Sequence, residues 1–149
     1  MKRAAVAIIL LLAWNTAPAF GTDQRIGSVK GTKGLVSITR AGKTIPAQIQ
    51  MPLYIDDVIV TGSDSAVGIL LEDETLLSMG PISRLALDKF DFVPAENKYA
   101  MRVRMMQGSF VYLSGLLGKL APHAVQMDTP VGTISMLKQA NLMANFPAQ

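Results

Sequence analysis

Apolar and polar residues alternate along most of this chain with a period of two. From Leu35 to Arg40, Val36 and Ile38 fall on one side and Ser37 and Thr39 on the other, the spacing of a strand with one buried face. Ala41-Gly42-Lys43 reads as a tight turn. Thr44 to Gln50 then returns with Ile45, Ala47 and Ile49 on one face. Pro46 marks this second strand as an edge, because proline cannot donate to a ladder. Val67, Ile69 and Leu71 share a face, as do Thr75, Leu77 and Met79, while Leu70 and Leu76 fill the opposite faces. Strands apolar on both sides are expected centrally, between layers, with Asp73-Glu74 as the connecting turn.

Ser83 to Phe92 switches phase. Leu85 and Leu87 are odd-numbered and Phe90 and Phe92 even-numbered, so strict alternation cannot bury all four. One extra residue near Asp88-Lys89 corrects the register, and a bulge is predicted there. Val93 to Lys98 reads as a loop. Tyr99 to Met105 alternates again, with Met101, Val103 and Met105 inward and Arg102 and Arg104 outward. Gly108 is read as dividing this strand from Ser109–Leu113. The leucines of Ser114–Leu120 suit a short helical turn or a loop over the sheet edge. His123–Met127 and Thr129–Met136 are two further strands, with Pro130 starting the second. The pattern predicts an all-β fold, an antiparallel two-layer sandwich or rolled sheet of short strands. Ser135–Phe146 has mixed character: Leu137, Ala140 and Ala144 would share a helix face, so a short C-terminal helix is one option.

The N-terminus follows different rules. Lys2-Arg3 precede an apolar run from Ala4 to Trp14 that is too short to span a bilayer, and small residues follow at Ala17, Ala19 and Gly21. This is the layout of a secretory signal peptide over 1–21, cleaved near Ala19 or Gly21, with an uncleaved anchor as the competing reading. Periplasmic or secreted localisation follows, with no stable membrane span after cleavage. Removing 21 of the 149 residues leaves 128, and loss of Lys2 and Arg3 lowers the formal charge from +3 to +1. The precursor's basic balance is therefore no argument for a nucleic-acid partner. The absence of cysteine excludes disulfides, thiol catalysis, zinc–thiolate sites and a lipid anchor at the cleavage site.

Several spaced elements recur in one order. Gly31 and Gly34 lie in a glycine-rich opening. Asp57-Val58-Ile59-Val60-Thr61 is followed by Ser65-Ala66-Val67-Gly68-Ile69-Leu70-Leu71-Glu72-Asp73. Then come Gly80-Pro81, Ser83, Leu85, Gly108, Gly115, Ala121-Pro122 and Thr129-Pro130-Val131. In order and spacing this resembles the periplasmic domain of the FecR family, over about Ile26 to Ile134. The chain departs from that pattern after Ile134, where a Gly-x-Arg-Gly-Thr strand is replaced by Ser135-Met136-Leu137-Lys138. The organisation expected is a signal peptide at 1–21, a FecR-like β domain at 26–134, and a divergent or truncated tail at 135–149. This tail is expected to pack weakly and leave an open sheet edge. The resemblance implies a free-standing FecR domain, without the cytosolic segment through which full-length regulators handle a sigma factor.

No reactive set converges in the sequence. His123 is the only histidine, so neither a metal pair nor a Ser-His-Asp triad can be built around it. Glu72-Asp73-Glu74 with Asp64 lacks calcium-loop spacing and reads as a solvated turn. Asp56 and Asp57 are strand neighbours and point to opposite faces. Catalytic residues, metals and cofactors are accordingly not expected. Tyr99, Arg102 and Arg104 make the best candidate partner-binding face, against the plainer reading of a solvated strand. The expected function is a non-catalytic binding or signal-relay module in the cell envelope, with another envelope protein or a cell-wall glycan as partner. The alternative is a structural or accessory envelope protein with no ligand of its own.

Overall fold

The computed structural model describes residues 24–148; the signal peptide expected over 1–21 lies outside them. The strands are β1 (Gly27–Lys33), β2 (Val36–Arg40), β3 (Lys43–Pro46), β4 (Pro52–Leu53), β5 (Val58–Thr61), β6 (Ala66–Leu71), β7 (Leu76–Met79), β8 (Arg84–Val93), β9 (Lys98–Leu113), β10 (Val125–Thr129), β11 (Gly132–Ser135) and β12 (Asn141–Phe146). A 3₁₀ turn at Pro94–Glu96 joins β8 to β9, and a short helix, α1 (Leu116–Leu120), precedes a second at Pro122–Ala124. The fold is all-β and mostly antiparallel, a rolled sheet.

Its spine is β9. The first half of β9, through Gln107, pairs with β8 on one side and in parallel with β10 on the other. The second half, from Gly108, lies between β7 and β12. One strand thus belongs to two ladders, β3-β2-β5-β8-β9-β10-β11 and β4-β1-β6-β7-β9-β12. The sheet curls around a single core. Ile38, Ile59, Leu85 and Met105 come to it from the first ladder, and Val29, Ile69, Leu77 and Tyr112 from the second.

The β2–β3 hairpin turns on Ala41 and Gly42, both at positive φ (48° and 77°), and Arg40 faces Lys43. Two left-handed residues in a two-residue loop match the twist of the flanking strands. β3 is an edge, as Pro46 requires. The bulge in β8 falls between Leu87 and Lys89. β6 and β7 are central in their ladder, but Leu70 and Leu76 on their outer face are only half-buried.

Three expectations are corrected. Gly108 does not divide two strands: β9 runs through it, with φ +99° at the glycine and a register shift where Arg84 meets Gln107 and Leu85 meets Met105. Met106 is the extra residue, and it moves the buried positions from odd (Met101, Val103, Met105) to even (Phe110, Tyr112). Pro130 does not start a strand. With Val131 it forms the turn joining β10 to β11, held by the Thr129 hydroxyl donating to the Gly132 carbonyl at 2.7 Å. The end of the tail is neither helical nor unpaired. Asn141–Phe146 pairs residue for residue with Leu113–Gly108, and Leu142 and Phe146 pack against the core. The exposed ladder groups of β9 there call for a strand partner, and the period-two set Leu142, Ala144, Phe146 supplies one.

Candidate functional site

Four consecutive turns are built alike. In each, a residue at positive φ (Asp56 67°, Asp64 52°, Glu74 67°, Ile82 48°) precedes a polar residue that is fully buried or nearly so: Asp57, Ser65, Thr75 and Ser83. The left-handed step turns the chain inward, and the next side chain captures backbone groups that the turn leaves without ladder partners. Asp57 accepts the Tyr54 N–H at 2.9 Å and both Nε and Nη2 of Arg40 at 2.7 Å. Arg40 also donates to the Pro52 carbonyl at 2.9 Å and lies 4.5 Å over the Tyr54 ring. This two-pronged pair fixes the end of β2 to the start of β5. The Ser65 hydroxyl accepts the Leu35 N–H and donates to the Ser63 carbonyl.

The Ser83 node joins the two ladders. Thr61 Oγ1 accepts the Ser83 N–H at 2.9 Å and donates to the Gly80 carbonyl at 2.6 Å. Ser83 Oγ accepts the Ser109 N–H at 3.0 Å. Gly108 packs so closely here that a β-carbon on it would lie 2.0 Å from Ser83 Oγ. Only glycine fits both the contact and the positive φ.

Asp73 does for α1 what Asp57 does for β2. It is buried, accepts the Thr75 N–H and hydroxyl at 3.1 and 2.7 Å, and accepts the Leu117 N–H at 3.1 Å. It therefore anchors the helix over the β6–β7 turn. The solvated-turn reading holds for the exposed Glu72 and Glu74 but not for Asp73. Beneath α1 the Tyr112 and Ser114 hydroxyls are buried without a formed hydrogen bond. Burial pushes the Tyr112 phenol up, and the nearby hydroxyls of Ser114 and Thr75 offset this in part.

Arg102 and Arg104 project from the outer face of β9 and both are engaged. Arg102 pairs with Asp128 of β10 at 2.7 Å, and Arg104 grips Asp88, the bulged residue of β8, at 2.7 and 3.0 Å. Hydrogen bonds from Arg102 and then Thr133 hold the Asp128 carboxyl below its usual range; the bond to Asp128 raises Arg102, and the bond to Asp88 raises Arg104. The parallel register opposes Arg102 to Gln126 and Arg104 to Asp128, which sets the acids and bases in one row across three strands. Tyr99 is not part of this row. It has the parity of Met101 and Val103 and packs on Phe92, with ring centroids 6.1 Å apart. The three candidate residues thus do not form one surface.

Among the concavities of the described residues, two contrast in polarity. An apolar groove of about 430 Å³ runs between β3, β2 and β5, lined by Leu35, Val36, Ile45, Pro46 and Val60. A more polar one of about 330 Å³ lies between Tyr54, Asp56, Phe90 and Asp91. His123 is exposed in its turn. Among the described residues no three His, Cys, Asp or Glu side chains converge as a metal site, and no helix is long and apolar enough to cross a membrane.

Sequence reasoning missed the pairing of Arg40 with Asp57 and the inward aim of Asp73. For Asp57 the signal was available in the repeated form of the turns, a polar residue directly before each strand; for Asp73, two residues ahead of Thr75, it was not. Comparison with family models, with curated proteins and with solved structures finds no match.

Proposed function

We propose that this chain is an exported domain of the FecR type, acting as a non-catalytic binding or signal-relay module in the cell envelope. The observation that carries this reading is where the motif residues go. Asp57, Ser65, Asp73, Ser83, Gly108 and Gly115 are the positions that carry the resemblance, and each braces a turn or admits a close backbone approach. A pattern of this kind specifies a scaffold, and recognition then falls to the surface. The secretory layout of residues 1–21 supports the compartment.

Two measurements test the proposal. N-terminal sequencing of protein from the native host is expected to begin near Phe20 or Thr22; a cytosolic product that keeps Met1 overturns the export claim. Immobilised protein is expected to retain one specific envelope protein or a cell-wall glycan from envelope extracts. Retention of nothing above a denatured control favours the accessory, ligand-free reading instead.

A further inference from the structure

Among the described residues the sheet ends in four terminal strands, and three of them are blocked. β4 is two residues long and contains Pro52; β3 carries Lys43 and Pro46; β11 has four residues and its Thr133 hydroxyl is tied to Asp128 at 2.6 Å. Short length, proline and lysine are the devices by which edge strands avoid pairing with other chains. β12 has none of them. Its six residues, Asn-Leu-Met-Ala-Asn-Phe, include no charge and no proline, and among the described residues nothing pairs with its outer edge. Met143 is 81 % exposed on its outer face. On the inner face Leu142, Ala144 and Phe146 are only half-buried, although Leu142 and Phe146 belong to the rim of the core.

We propose that β12 pairs antiparallel with β12 of a second copy of this chain, with the two-fold axis at Met143. The choice of a second copy comes from self-complementarity. Residues directly opposite in an antiparallel pair share a face, so the axis must pass through a residue rather than between two. At Met143 it sets Met143 against itself, Leu142 against Ala144 and Asn141 against Asn145 of the second copy, and leaves Pro147 outside the ladder. No charge lies on β12 or on the stretch of β9 behind it, Gly108–Leu113, so a two-fold brings no like charges together. The asparagine pair is self-complementary as well. Asn141 Oδ1 accepts the Ser114 N–H and Asn145 Oδ1 accepts the Ser109 hydroxyl, and each oxygen keeps a second lone pair to accept the N–H₂ of the asparagine opposite. Pairing joins the six-strand ladder β4-β1-β6-β7-β9-β12 of each copy into one continuous sheet and covers the half-buried inner face of β12. One six-residue edge buries less than the roughly 1,000 Å² of a stable interface, so the dimer is a weak one.

Sedimentation velocity of the purified protein, from low micromolar to millimolar concentration, is expected to show a reversible monomer–dimer equilibrium. Met143→Lys places two ammonium groups on the axis and is expected to weaken it at least ten-fold, while Val131→Lys, at a residue equally exposed but on the β10–β11 turn, leaves it unchanged. Facing residues in a ladder have Cα atoms about 4.5–5.5 Å apart, within disulfide range, and the chain has no cysteine of its own. Met143→Cys is therefore expected to give a covalent dimer under mild oxidation in far higher yield than Val131→Cys. A protein monomeric throughout this range overturns the proposal. So does equal weakening by the two lysine variants, or cross-linking that is no better at Met143 than at Val131.

Discussion

Between Tyr54 and Ser83 the polar side chain before each strand points into the molecule; along β12 the two asparagines point out of it. Asp57, Ser65, Thr75 and Ser83 are buried and hydrogen-bonded, whereas Asn141, Met143 and Asn145 lie on the surface. The first region fixes chain direction at each turn by giving the backbone a buried partner, and every such partner also excludes alternative turns, because an unsatisfied polar group in the core is costly. The second region is held by its ladder to β9, the rim contacts of Leu142 and Phe146, and two exposed hydrogen bonds accepted by Asn141 and Asn145. Buried polar braces therefore specify where the chain turns, while an unbraced neutral edge leaves room for association.

The largest effect is expected where the two ladders meet. Gly108→Ala puts a β-carbon within 2.4 Å of Ser83 Cα at a φ of +99°, and a loss of about 3 kcal/mol or more is expected in urea unfolding. A variant within 1 kcal/mol of the parent would mean the junction is soft. Asp57→Ala comes next. It removes the carboxylate that accepts from Arg40, whose side chain is 30 % exposed, and from the Tyr54 N–H. A loss of about 2–3 kcal/mol is expected, with Asp57→Asn intermediate; a neutral Asp57→Ala would show that the brace is dispensable.

A change in the opposite direction is expected at Ile82. A β-branched residue at φ 48° is strained, and its side chain is exposed. Ile82→Asn, which tolerates that conformation, is expected to stabilise the protein by about 1 kcal/mol, read as a raised Tm. The smallest effect is expected on the arginine row. Asp128 has a lowered carboxyl pKa in the folded state, chiefly through Arg102. Its contribution is thus present above the ordinary aspartate range and is lost as pH falls through the lowered value. Asp128→Asn is expected to flatten the acid limb of Tm against pH slightly, and to leave Tm near neutral pH little changed.

Much of this was legible in the sequence, and for identifiable reasons. Pro46 marked an edge, Gly42 a hairpin turn, and the odd-to-even switch at Leu87 and Phe90 a bulge, because each is a local steric or period-two signal. The same switch was present in β9, from Met105 to Phe110, but Gly108 masked it: glycine reads as a break, and here it serves close packing against Ser83. Asp73 looked solvated because its neighbours Glu72 and Glu74 are, and only the approach of α1 from distant sequence turns it into a buried acceptor. The partners of Arg102 and Arg104 were hidden for the same reason. Asp88 and Asp128 come from separate strands, and the parallel β9–β10 register that aligns Asp128 leaves no mark in the local pattern.

Native-state hydrogen exchange at low protein concentration tests the account most directly. The Ser83 and Ser109 amides donate to the Thr61 and Ser83 hydroxyls rather than to a ladder. They are predicted to exchange only by global unfolding, as slowly as those of Val67–Leu71, while amides of Asn141–Phe146 exchange faster through local opening. Ser83 and Ser109 amides that exchange as fast as those of β12 would contradict the claim that buried polar braces hold this fold together.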